Sequence, residues 1–218
     1  VSTGVVLYGV GSPLAIDAEE SCARAGLAIV AGVHNVAGAV HVTPDVRVVT
    51  PAQLDAALRA CPFVVALFTP GHRKAAVEDA LRNGFARGAV LVDATAAVAR
   101  SATLAEGVYV NAGCVIGGAA MLGRFVLVNR SASIGHHAAL DDYASIGPGV
   151  VLCGQVRVGR GAMIGAGSVV LPSVAIGANA IVGAGSLVRD DVAANTRVEG
   201  RPARVVQFGI KGYRDLSV

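Results

Sequence analysis

The chain has 218 residues, is 54% hydrophobic but only 4% aromatic, has no tryptophan, and carries a net charge of +3. That length accommodates two modest domains, and a charge so small and scattered argues against a nucleic-acid partner. No apolar run approaches the roughly 18–20 residues of a membrane span, the first residues lack signal-peptide features, and the four cysteines (Cys22, Cys61, Cys114, Cys153) show no metal or redox spacing, so the expectation is a cytoplasmic protein with free thiols and no metal.

In chain order, Val5-Val6-Leu7-Tyr8 reads as a buried strand leading into Gly9-Val10-Gly11-Ser12-Pro13. Ser12 is placed to cap a helix and Pro13 to take its first position. That helix is expected to reach about Ala25 and stop at Gly26, with 27–31 as the next strand. Strand, glycine turn, helix and strand open a nucleotide-binding α/β unit, whose helix N-terminus can receive an anion. The third glycine of the dinucleotide fingerprint is missing, and His34-Asn35 stands where an acidic residue would follow the second strand. A nicotinamide cofactor is therefore not expected. Further on, 46–49 reads as a short strand, 51–60 as a helix capped by Thr50, and 63–68 as a second apolar strand. A helix to about Phe85 follows Thr69-Pro70-Gly71-His72-Arg73, then a strand at 89–92.

Strands alternating with helices argue a small parallel, Rossmann-like sheet. Ligands on such sheets sit beyond the strand C-terminal ends, which gathers Gly9, Gly11, Ser12, His34, Asn35 and Thr69 around one crevice. His72 and Arg73 either hold a phosphate there or start a solvated helix. The expected division places a Rossmann-like acceptor-binding domain at 1–103 and a second domain at 104–218.

From residue 108 to residue 188 the chain has a period of six. Stepping from Val110 gives Ile116, Leu122, Val128, Ile134, Leu140, Ile146, Leu152, Val158, Ile164, Val170, Ile176, Val182 and Val188, all aliphatic. Two residues before each stands a small or modest side chain, such as Cys114, Ala132, Ala144 or Ser168, and Gly, Asn or Asp mostly follows. This period fits neither a helix nor a lone strand. It fits short strands joined by tight turns, three hexads closing one triangular coil, with aliphatics stacked down a narrow core. The fold class is thus an α/β N-terminal unit followed by a hexapeptide-repeat β-solenoid. After Val188 the pattern decays, and the segment through Gly200-Arg201-Pro202-Ala203-Arg204 leads into a tail expected to cap the open coil end.

Three hexads place residues eighteen apart directly above one another, about one strand spacing away. His136 and His137 then fall at a coil corner. Gly118 and Gly154 stack on either side of His136, and Ala119 and Gln155 on either side of His137. A bare corner flanked by glycines leaves room for a ligand against the backbone. Asn129 stacks over Asn111 in an asparagine ladder and is counted with the acceptor-binding residues. Asp142 lies between Arg124 and Arg160, a surface ion column of modest worth. A three-histidine zinc site finds no support, because the solenoid's histidines are only this adjacent pair. No nucleophile-elbow sequence supports a serine hydrolase.

The run Val128-Asn129-Arg130-Ser131-Ala132-Ser133-Ile134-Gly135-His136, with Asp142-Tyr143, Ile146-Gly147-Pro148-Gly149, residues 164–170 and Gly200-Arg201-Pro202-Ala203-Arg204, resembles the left-handed β-helix acyltransferases. The whole chain resembles their sialic acid O-acyltransferase / bacillosamine N-acetyltransferase subgroup. The resemblance implies a homotrimer, with acetyl-CoA along the groove between two β-helices and His136 as general base. It also implies a first domain that receives the acceptor, typically a nucleotide-linked amino sugar. Carried over, the Gly154 backbone faces the thioester, and Gly165, Ala166, Ala184 and Gly185 line the pantetheine path. Arg201, Arg204 and Lys211 offer charge to the CoA phosphates. The family usually places Asp or Glu directly after the catalytic histidine, where this chain has His137. That leaves Asp141, Asp142 or a partner subunit to orient His136, or a base less activated.

The expected activity is acetyl transfer from acetyl-CoA to an amino or hydroxyl group of a sugar or nucleotide-linked sugar. The alternatives are a non-catalytic trimeric scaffold, an acyltransferase with a non-sugar acceptor, and a nicotinamide-dependent oxidoreductase resting on Gly9-Val10-Gly11 alone.

Overall fold

A computed structural model describes residues 4–218. The N-terminal unit comprises β1 (Val5–Tyr8), α1 (Ala15–Arg24), β2 (Ile29–Val33), β3 (Val48–Val49), α2 (Ala56–Ala60), β4 (Phe63–Val64) and α3 (Pro70–Arg82). Its strands form one parallel sheet in the order β3-β2-β1-β4. Every residue of β1 is buried, as expected for a central parallel strand covered on both faces.

Three local expectations shift. Helix α1 begins at Ala15, two residues beyond Pro13, because the carbonyl of Ser12 accepts from the Ala15 N–H in a turn that precedes it. The single helix expected over 51–60 is broken in two. Thr50 and Gln53 close a short 3-10 turn at Pro51–Gln53, and the Asp55 side chain then accepts from the Leu58 N–H at 2.8 Å and starts α2. Asp55 is an N-cap residue in its own right, and two caps five residues apart compete with one continuous helix. Only Phe63–Val64 of the 63–68 run pairs as strand.

The rest of the chain is a parallel β-helix of two-residue strands. Each pairs in register with the strand eighteen residues away: Leu127 with Ser145, Ile134 with Leu152, Leu140 with Val158. The strands form three faces of eight, six and five strands, the first of them including the C-terminal hairpin. Every aliphatic of the period-six series from Val110 to Val188 is buried in one continuous core, together with Cys114, Ala120, Ala132 and the other small residues two positions earlier.

The coil starts earlier than the expected boundary near Thr103. Leu91–Val92 pairs with Tyr109–Val110, and Ala97–Val98 with Val115–Ile116, so the strand expected to end the N-terminal sheet is the first strand of the β-helix. At the far end Thr196–Gly200 and Ala203–Phe208 form an antiparallel hairpin, whose first strand pairs with Ile181–Val182 and carries Val198 into the core.

The eight-stranded face is covered. Its outward residues Tyr109 and Leu127 pack with Val5, Leu7, Val10 and Val64 of the N-terminal unit. Met163 and Ile181 pack against Ile210, Phe68 and Tyr213. The other two faces expose apolar side chains: Val115 and Val151 on the six-stranded face, Met121 on the five-stranded one. Among the described residues no helix is long and apolar enough to cross a membrane.

Candidate active site

The corner between the two uncovered faces carries His136 and His137. Both are exposed in the single chain. His137 adopts φ 58°, the left-handed conformation that turns the corner. Its backbone N–H donates to the Gly118 carbonyl at 2.9 Å, and the His136 carbonyl accepts from Gln155 at 2.9 Å. The corner is thereby stapled one coil to either side.

The His136 ring lies against Gly154. A β-carbon at 154 would stand 2.5 Å from Nε2 and 2.6 Å from Cε1 of that ring, well inside van der Waals contact. Only a glycine lets the imidazole rest there. The Gly154 N–H has no hydrogen-bond acceptor among the described residues. The Nδ1 atoms of His136 and His137 are 3.1 Å apart, with the two rings nearly perpendicular at 85°. Neither Asp141 nor Asp142 orients the base: the Asp142 carboxylate accepts from the Arg124 backbone N–H at 2.8 Å and faces Arg160 at 3.7 Å, at a different corner. The expected alternating column is thus half formed, because the Arg124 guanidinium pairs instead with Glu106 at 3.0 Å.

A cavity of about 810 Å³ opens beyond the C-terminal ends of the N-terminal strands. Five of the residues expected around that crevice line it, namely Gly9, Gly11, Ser12, Asn35 and Thr69. His34 sits behind the turn instead, its Nε2 buried and without a hydrogen-bond partner among the described residues. Asn129 is held in the ladder, accepting from Asn111 at 3.2 Å and from the Arg130 N–H at 2.8 Å. The wall at that level is the neighbouring Arg130, 3.5 Å from Asp17. His72, Asp17, Tyr213 and Arg214 also line the cavity. Of these, Tyr213 and Arg214 arrive from the C-terminal tail, which no local motif signals.

Arg73 does not join this cavity. It is 1% exposed, and its guanidinium donates to the Phe125 carbonyl (2.8 Å), the Tyr143 carbonyl (2.7 Å), Ser145 Oγ (2.8 Å) and the carbonyls of Leu67, Phe68 and Ala144. Burial draws its pKa down to about 9, so it stays charged at neutral pH. Its task is to tie α3 to two successive coils, beside the stacked rings of Phe63, Phe125 and Tyr143. A second junction centres on buried Asp93. Burial alone would raise its pKa, but hydrogen bonds from Arg24, Thr95 and Ser21 outweigh that and hold the carboxyl well below the usual range.

A second cavity, of about 600 Å³, is lined by Gly165, Ala166 and Ala184 with Arg197, Glu199 and Tyr213 among others. Gly185 and Arg201 lie outside its lining but meet each other, the Arg201 guanidinium 3.4 Å from the Gly185 carbonyl. Gly154 stands at the histidine corner, whereas residues 165–166 and 184–185 stand at the next corner, across the six-stranded face. Neither cavity reaches His136 within one chain.

The fold and the corner define a β-helix enzyme with a histidine at a prism edge, and comparison with known proteins agrees. The bacterial transferase hexapeptide (six repeats) family matches residues 155–190. PerB from Caulobacter crescentus, solved in complex with CoA and GDP-perosamine, is 31% identical over 94% of this chain and 97% of its own, with a TM-score of 0.84. The acetyltransferase domain of PglB from Neisseria gonorrhoeae, solved with acetyl coenzyme A, is 25% identical over 94% of this chain and 100% of its own, with a TM-score of 0.83. WeeI from Acinetobacter baumannii shares the fold at 19% identity, with a TM-score of 0.76 over 93% of this chain and 99% of its own. No curated protein sequence matches. The chain belongs to the hexapeptide-repeat, left-handed β-helix acyltransferases, in the subgroup of amino-sugar N-acetyltransferases and sialic acid O-acyltransferases. It is an acetyltransferase, which sets aside the scaffold and oxidoreductase readings.

Proposed function

We propose that this chain transfers the acetyl group of acetyl-CoA to the amino group of a nucleotide-linked sugar, with His136 as general base, in a homotrimer. One observation carries the assignment: the His136 ring rests on Gly154 with Nδ1 engaged and Nε2 free, beside an unused backbone N–H. The substrate amine attacks the thioester carbon, and Nε2 takes the proton that the nitrogen sheds. The oxygen that gains charge is served by the Gly154 N–H. Collapse of the tetrahedral intermediate breaks the C–S bond, and the proton on Nε2 passes to the departing thiolate. The two solved structures described above, with CoA and GDP-perosamine or with acetyl coenzyme A, support the choice of donor and acceptor.

The placement of the parts supports the trimer. The acceptor cavity and the expected pantetheine path are at one corner, the base at another, and the face between them carries exposed Val115 and Val151. A neighbouring copy seated on that face brings its own corner to the cavity and completes the site. The N-terminal unit, 1–103 by the sequence division, then receives the acceptor.

The test is thiol release from acetyl-CoA against a panel of amino sugars and their nucleotide conjugates. Turnover is expected with a nucleotide conjugate, and His136→Ala is expected to lower kcat at least about 100-fold without changing assembly. Unchanged turnover in that variant removes His136 from the mechanism.

A further inference from the structure

We infer that His137 is a positioning residue: its Nδ1 accepts a hydrogen bond from His136 Nδ1–H and so keeps the base in the one tautomer that works. This rests on the reading of His136 as base. With the two Nδ1 atoms 3.1 Å apart, one ring must donate and the other accept, and a single proton lies between them. When that proton is on His136, its Nε2 carries a lone pair and can take the substrate's proton. When it is on His137, His136 must hold its own proton at Nε2, and the base is switched off.

In this corner's column no carboxylate stands within one coil of the pair, and Asp142 is engaged at another corner. The stacked neighbours are Gly118, Ala119, Gly154 and Gln155. Arg157, on the adjoining face, is the nearest charge by register. The next charges in the column are Arg100, two coils away on one side, and Arg189, Asp190 and Asp191, three coils away on the other.

A protonated His137 carries N–H on both nitrogens and cannot accept. The positioning role therefore needs a lone pair at residue 137, facing His136 Nδ1. A carboxylate in place of His137 would accept the same hydrogen bond.

Two substitutions separate this role from a structural one. His137→Phe keeps a ring but no acceptor, and Phe125 shows that an aromatic residue tolerates this corner conformation, at φ 53°. It is expected to lose about tenfold or more in kcat with both KM values nearly unchanged. His137→Asn places an amide oxygen where Nδ1 stands, suits a positive φ, and is expected to recover most of that loss. A wild-type kcat in His137→Phe, alongside an inactive His136→Ala, would overturn the positioning role and leave the base assignment standing. Failure of His137→Asn to recover the activity lost in His137→Phe would overturn it equally. An active His136→Ala would instead remove the reading beneath it.

Discussion

A β-carbon at residue 154 would fall 2.5 Å from His136 Nε2, so Gly154→Ala must push the ring off the backbone it rests on. Residue 154 has no left-handed backbone requirement, so the cost falls on the imidazole and not on the fold. The expected outcome is a kcat at least about tenfold lower, because a base displaced by an ångström misses its proton, with an unshifted melting curve. Equal loss of melting temperature and activity would count against the geometry. Most of this corner was legible in the sequence, since 154 is 136 plus one coil of eighteen. What periodicity could not supply was direction. It placed His137 beside His136 without saying that the two Nδ1 atoms meet, and it set Arg73 next to His72 without revealing that one turns into the protein and the other toward the cavity.

Asp93 shows how the elements are joined. It follows the first strand of the β-helix and receives Arg24 from α1 at 2.7 Å. A carboxyl depressed in the fold stabilises it above the unfolded aspartate pKa of about 3.9, and that contribution is lost as pH falls toward the folded value. Asp93→Asn is therefore expected to be less stable than the parent at pH 7. Its urea midpoint should fall less steeply than the parent's below about pH 4. Parallel curves for the two proteins would show that Asp93 is not the group titrating. The early start of the β-helix also has a sequence signal, because Val92, Val98 and Leu104 continue the period of six backward from Val110. Their coils look irregular because Asp93, Thr95 and Arg100 interrupt the glycine pattern that marks later corners. The break between Gln53 and Ala56 had a visible cause too, in Asp55, but Thr50 offered an equally good cap and sequence alone does not rank the two.

At the scale of the molecule, two prism faces remain apolar and open while the third is covered by the chain's own N-terminal unit. Val115 and Val151 lie in one row, separated only by Ser133. If a neighbouring copy sits there, the double substitution Val115→Arg and Val151→Arg buries two cations without partners and is expected to yield monomers by light scattering. Activity should vanish with the trimer while circular dichroism stays unchanged. A double variant that remains trimeric would place the assembly contact elsewhere.

The six-fold anchoring of one guanidinium has a consequence for what the enzyme can accept. Arg73 bonds to groups on both sides of the junction, so there is no hinge about which the crevice could swing toward the acyl donor. In the proposed assembly, a ligand gripped in that crevice must itself span the gap to the neighbouring copy's edge. Reach is then demanded of the small molecule, and a nucleotide conjugate is expected to release thiol from acetyl-CoA faster than the bare amino sugar does.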